Sequence, residues 1–274
     1  MGKIFDIDSP LMHALSKLAD VMWINVLTLI FAIPLILEQL FFLGPVLFDE
    51  YSLEVSFVLW AWLLGIVFSI PLGPALTGMH YVLLKIVRDE DSYVTKSFFK
   101  SFKENFKQGA ILQVIQFAAA GILLLDYMLM KDNTGIYRYL VIAISIILYM
   151  VSLYIFPLLS KFINTIPGTL KNAALMSVLA LPKSVLMALV SAVPLLILYF
   201  FDMKAVPLLI LLGIAGPGFV CALLYNNTFK RFEPKEENLS EEEELEAAIR
   251  KIDDSDVEVL DKATNTESET SDTE

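Results

Sequence analysis

One cysteine and two histidines in 274 residues leave little room for sulfur or imidazole chemistry. With Cys221 alone, no internal disulfide framework and no cysteine-only metal site can form. His13 and His80 stand far apart with no carboxylate at ligand spacing, which argues against a zinc-type centre. Charge is scarce as well: 19% of residues are Asp, Glu, Lys or Arg, while 57% are hydrophobic and the mean hydropathy is +0.66. An average soluble chain has about 25% charged residues and 45–50% apolar ones, so the composition points to a membrane. The signatures GxSxG, HExxH, GxGxxG and the P-loop are missing from any suitable context. The polar loops are also too short to hold a catalytic domain. The expectation is a protein that is not an enzyme and carries no cofactor.

The net charge of −11 is unevenly placed. Residues 233–274 hold 17 of the 31 acidic residues but only 4 of the 20 basic ones, so the acidity belongs to the tail and residues 1–232 are nearly neutral. A nucleic-acid binder would need a basic footprint, and none is present.

Apolar runs long enough to cross a bilayer, roughly 17 to 25 residues, occur at 21–43, 55–79, 109–130, 136–159, 183–201 and 205–225. The expected fold is all-α: a polytopic bundle of six transmembrane helices over 1–232, with cytoplasmic amphipathic helices, followed by an acidic, mostly disordered tail over 233–274. About twenty residues, Asp6, Asp8 and Asp20 among them, precede the first run. That run is therefore expected to remain as a helix rather than serve as a cleaved leader. Six runs put fourteen Lys and Arg on the side of the N-terminus and only Lys131, Arg138 and Lys204 on the other. By the positive-inside rule both termini are then cytoplasmic.

Two inner segments are more than connectors. Ser92 to Gln108 carries Phe98, Phe99, Phe102 and Phe106 at helical spacing, with Lys96, Lys100, Lys103 and Lys107 beside or opposite them. This is the pattern of an amphipathic helix. Thr169 to Leu181 is a softer version, and an offset of 75 residues aligns the two segments with the runs that follow them. Such a match leaves a diverged internal repeat and chance similarity between apolar helices both open.

Proline and glycine recur inside two runs, as Pro71-Leu72-Gly73-Pro74 and Gly216-Pro217-Gly218. Proline removes a helical hydrogen bond and kinks the chain. In a bilayer such a break persists only where protein or water satisfies the freed groups. A broken-helix substrate site and a packing kink both fit, the kink better. Glu38 and Asp126 lie near outer ends of runs and read as interfacial acids, while Asn25, Gln113 and Gln116 read as interhelical hydrogen-bonding groups. In the tail, Ser240-Glu241-Glu242-Glu243 has a capping-box pattern and suggests a short acidic helix before disorder sets in. Lacking aromatics beyond Phe232, the tail cannot offset an ordering entropy of about 1–2 kcal/mol per residue. Truncation after Lys235 is expected to leave the melting temperature in detergent nearly unchanged.

The residues Gly2-Lys3-Ile4-Phe5, Ser9-Pro10-Leu11-Met12, Lys17-Leu18-Ala19-Asp20 and Asn25 are followed by Gly73-Pro74-Ala75, Tyr81, Leu84-Lys85 and Arg88-Asp89. After these comes Phe98-Phe99 through Asn105-Phe106-Lys107-Gln108. Together this order resembles the YesL-like bacterial integral membrane proteins, a family of unknown function. The resemblance covers about residues 1–232, is strongest over 1–108, and does not extend to the acidic tail. It implies a plasma membrane of a Gram-positive bacterium and an association with carbohydrate uptake, beside a sugar ABC transporter. Gly73, Pro74, Tyr81, Arg88, Asp89, Phe98, Phe99, Phe102, Asn105, Phe106, Lys107, Gly216 and Pro217 are the candidate functional or interaction residues. Two roles follow: an accessory or regulatory subunit that docks through cytoplasmic elements, or a permease-like subunit that forms part of a substrate pathway. The second draws on Thr169 to Leu181, which weakly resembles the ATPase-coupling loop of importer permeases, although Thr169 stands where glycine is expected and Gly168 is one position away. The accessory role is preferred, with the lipid bilayer as the expected partner.

Overall fold

Uninterrupted apolar sequence without strand-like alternation leaves the backbone little choice but to satisfy its own hydrogen bonds as helix. In the computed structural model, which describes residues 10–47, 54–90, 93–130 and 135–233, every regular element is helical. The helices are α1 (Pro10–Leu47), α2 (Val55–Phe68), α3 (Leu72–Val87), α4 (Val94–Glu104), α5 (Phe106–Leu129), α6 (Ile136–Lys161) and α7 (Ile166–Leu179). They continue with α8 (Leu181–Phe201), a 3₁₀ turn (Asp202–Ala205), α9 (Val206–Leu212) and α10 (Ala215–Phe229). These helices belong to one unit, Met1–Arg231; a second unit begins at Phe232. The opening Gly2 to Ser9, the disorder expected of the tail and its short acidic helix lie outside the described residues.

Among the described residues, four helical stretches are long and apolar enough to cross a membrane: Leu11–Val46, Phe106–Leu129, Ile136–Lys161 and Leu181–Leu212. The pair α2 and α3, bent by 61°, makes a fifth. The run at 55–79 is thus two helices rather than one, broken at Ser69–Pro71, where Pro71 and Pro74 withdraw two backbone donors. The run at 205–225 is divided too, because α9 ends at Leu212 and α10 starts at Ala215.

Side-chain contacts set the directions of the helices. Gly65 faces Phe117 and Gly121 faces Trp62, so α2 and α5 run antiparallel. Gln116 donates to the Ser152 carbonyl and Arg138 to the Tyr127 hydroxyl, so α5 and α6 do as well. Tyr154 and Tyr149 pair with Ser184 and Ser191, which makes α6 and α8 antiparallel. Lys183 donates to Thr228 at 2.9 Å while Cys221 approaches the Met187 carbonyl, so α10 returns against α8. Between them Asp202 takes a φ of 47°, an unusual left-handed value for a residue other than glycine.

The 75-residue offset reappears in the helix boundaries. It separates the last residues of α4 and α7, Glu104 and Leu179, and equally the first residues of α5 and α8, Phe106 and Leu181. The two short helices nevertheless present different faces. On α4, Lys96, Lys100, Lys103 and Lys107 near its end are all exposed. On α7, the exposed positions include Leu175, Val178 and Leu179, while Thr169, Ala173 and Ser177 are buried. The helix expected to be amphipathic in the ordinary sense therefore has an apolar outer face, as suits a surface turned to lipid.

Candidate functional site

Expected over Ser92 to Gln108, the amphipathic helix ends earlier. Asn105 leaves helical geometry at φ −102° and ψ 10°, and its side-chain amide donates to the Ser101 carbonyl, which competes with helix continuation. Phe106 and Lys107 consequently open α5 rather than close α4. The phenylalanine face of α4 lies on α1: Phe98, Phe99 and Phe102 surround Phe31, with ring centroids 6.2, 6.3 and 4.5 Å away. Trp23, one level lower on α1, donates its indole N–H to Thr95 at 2.8 Å. Gly78 of α3 admits the Phe98 backbone, since a Cβ there would lie 2.9 Å from the Phe98 carbonyl oxygen. Two helices, α1 and α3, therefore hold α4, and its lysines are exposed.

This arrangement separates the two ends of the aromatic row. Phe98 is fully buried, whereas Phe106 is 44% exposed. Phe98→Leu is expected to destabilise the protein by about 1–2 kcal/mol through lost ring contacts and a void. Phe106→Leu, and the pair Lys100→Gln with Lys103→Gln, should stay near zero. Melting in detergent, followed by the fraction remaining monodisperse, distinguishes them.

At the end of α3 the motif Arg88-Asp89 joins three helices. Arg88 donates from Nε to the Asn226 side chain of α10 at 2.9 Å. Asp89, held at a φ of 56°, meets Lys17 of α1 at 2.5 Å and His13 at 3.8 Å. One turn earlier Lys85 lies 5.2 Å from the Tyr81 ring, and His80 is 3.3 Å from the buried Tyr225 hydroxyl. The hydrogen bond from Lys17 holds the Asp89 carboxyl below its usual range. A depressed carboxylate contributes stability above its unfolded value of about 4 and loses it as pH falls through the lower folded value. Because Asp89 is exposed the effect is small. Asp89→Asn should melt slightly below the native protein at pH 7, and the two curves should converge below about pH 4.

Both proline–glycine breaks are filled by the protein itself. Gly73 at the start of α3 touches α5 so closely that a Cβ would collide with the Gly109 carbonyl oxygen. Pro74 packs against Gly109 from the other side. The α9–α10 break, beside Gly216 and Pro217, is closed by Asn25 of α1. Its amide donates to the Leu209 and Ile210 carbonyls at 3.2 and 2.7 Å, and its oxygen accepts from the Ile214 and Ala215 N–H groups at 2.8 and 2.7 Å. Asn25 is fully buried and satisfies three backbone groups that the break leaves open, while the Leu209 carbonyl that it also reaches keeps its bond from the Gly213 N–H. Gly216 also lines a cavity of about 410 Å³ between α1 and the α9–α10 region, apolar apart from Lys17.

The candidate residues thus form five separate groups rather than one centre, Gly216 and Pro217 being the one at the α9–α10 break. Gly73 and Pro74 belong to the α3–α5 crossing. Tyr81, Arg88 and Asp89 belong to the clamp at the end of α3. Phe98, Phe99 and Phe102 belong to the aromatic seam with α1, while Asn105, Phe106 and Lys107 sit at the α4–α5 junction. Phe31 and Asn25 complete these groups. Phe31 carried no signal in an apolar run, and Asn25 was legible only as a polar amide that needs a partner.

Residues 21–127 match the family described as protein of unknown function, DUF624. The match takes in α1 from its buried Val21 onward, both bent-pair helices, α4 and nearly all of α5, in keeping with the resemblance to YesL-like membrane proteins. No curated protein and no solved structure matches the chain.

Proposed function

We propose that this chain is a non-enzymatic accessory or regulatory component of a carbohydrate uptake system, seated in the plasma membrane with six crossings and both termini cytoplasmic. The crossings are α1, α2–α3, α5, α6, α8 and α9–α10. This reading is supported by the alternation of direction along α2, α5, α6, α8 and α10. It is also supported by the excess of Lys and Arg on one side. Reporter fusions after Leu53, Lys131 and Lys204 should read as external and one after Lys235 as internal.

The observation that carries the docking role is the lysine face of α4. A helix pinned by Phe31, Phe98 and Phe102 presents Lys96, Lys100 and Lys103 outward on a rigid support. Such a row suits an acidic surface of a partner subunit, where electrostatic complementarity sets encounter and register. The permease alternative is weaker because each break that could have formed a substrate site is occupied. Asn25 fills one, and the Gly73–Gly109 contact closes the other. Affinity capture from native nanodiscs tests the proposal: a sugar-transporter permease or ATPase should co-purify, and replacing Lys96, Lys100, Lys103 and Lys107 by Gln should release it. Unchanged capture by the quadruple variant would remove α4 as the docking element.

A further inference from the structure

Between α5 and α6 lies a groove of about 750 Å³, closed at one end by Leu170 of α7. That volume is typical of sites for small organic ligands. Its walls are apolar, and its rim includes Leu124 and Ile146, about half exposed, so the opening faces the hydrocarbon phase. From Gln113 to Tyr127 it follows α5 for fourteen residues, about 21 Å at the helical rise, which is the reach of one extended acyl chain.

The polar side chains along this groove are nearly all partnered. Gln116 donates to the Ser152 carbonyl, Ser152 to the Tyr149 carbonyl and Ser145 to the Val141 carbonyl, while the Tyr149 and Tyr127 hydroxyls bond Ser191 and Arg138. Gln113 is different. It is 6% exposed, and its side-chain oxygen is buried with no hydrogen-bond partner. An unmet acceptor in an apolar wall costs free energy that a bound donor would recover. The acceptor stands seven residues into α5, about 10 Å from its first residue. Resting on the topology proposed above, in which α5 enters from the cytoplasmic side, this acceptor lies in the half of α5 nearer the inner leaflet.

We propose that the α5–α6 groove is a binding site for one lipid with a hydroxyl-bearing glycerol headgroup and a single chain in the groove. The hydroxyl donates to the Gln113 side-chain oxygen, and the chain runs along α5 toward Tyr127. The orphaned acceptor at one end and the lipid-facing opening set this site apart from an ordinary annular contact, which needs no donor.

The full-length protein in detergent micelles can be titrated with monooleoylglycerol and, separately, with methyl oleate, which has the same chain and an ester but no donor. Native mass spectrometry reads the adducts. Monooleoylglycerol should form a saturable one-to-one adduct, retained about fivefold better than methyl oleate, the ratio expected of one net hydrogen bond. Gln113→Met should bring the two esters level, and Ala120→Phe, which fills the groove, should remove both adducts. The comparison on the native protein needs no variant, so a misfolded variant does not spoil the test. Equal retention of the two esters, unsaturable multiple adducts, or a protein dimer that excludes the ester would each overturn the proposal.

Discussion

Asn25→Leu is expected to lower the stability of the helical unit by about 4–6 kcal/mol and to abolish most of its monodisperse yield in detergent. This one side chain makes four bonds across the α9–α10 break. Single interhelical hydrogen bonds in membrane proteins are worth about 0.6 kcal/mol on average and up to about 1.7. Removing Asn25, however, strands the Ile210 carbonyl and the Ile214 and Ala215 N–H groups, at about 1–3 kcal/mol for each unmet buried group. Leucine has the same branched four-atom side chain as asparagine, so no cavity is opened and the cost comes from the lost bonds. Gln116→Leu supplies the contrast, since Gln116 makes one long bond of 3.4 Å and should change the melting temperature little. Similar losses for the two variants would mean that the break is satisfied by other groups.

Gly73→Leu should be worse tolerated than any substitution on the lysine face, with no folded protein recovered. A Cβ at Gly73 meets the Gly109 carbonyl oxygen, and the Cβ of Gln113 only 2.6 Å away. Backbone atoms cannot rotate aside as a side chain can, so α3 and α5 would have to separate along a contact built on two glycines. Overpacking of this kind costs about 1–3 kcal/mol where side chains yield and more where they cannot. Gly73→Ala is the milder probe and should still lower the melting temperature by several degrees. Gly168→Ala serves as the control, because the nearest atom to its Cβ is the Thr165 hydroxyl oxygen at 3.1 Å. Near-equal melting of Gly73→Ala and Gly168→Ala would show that the crossing is looser than the geometry requires.

The two substitutions differ in how far the sequence announces them. Gly73 stands between two prolines, so a kink and a close approach were legible before any coordinates. Which helix comes close was not, because Gly109 opens an ordinary apolar run with nothing to mark it as a partner. Asn25 was legible as a polar group that must be satisfied in a bilayer, yet its partners lie 184 to 190 residues away along the chain. The aromatic row on α4 shows the same division. Its helical spacing was plain, but the spacing assigned Phe106 to the row, whereas Asn105 ends the helix and leaves Phe106 half exposed on the next one.

What the sequence by itself determined is the physical class: an all-helical membrane chain, with apolar stretches where the long helices lie and a lysine-bearing short helix before α5. These are properties of composition, run length and period, which sum along the chain and need no knowledge of neighbours. Only the tertiary structure decided that α2 and α3 are separate helices bent by 61°, that the outer face of α7 is apolar, and that Asn25 closes the α9–α10 break. It alone also left the Gln113 oxygen unmet in the α5–α6 groove. In a bilayer the hydrophobic effect places helices but does not distinguish one apolar face from another. The choice of partners falls to glycine contacts and single polar side chains, whose meaning depends on what stands opposite them in space.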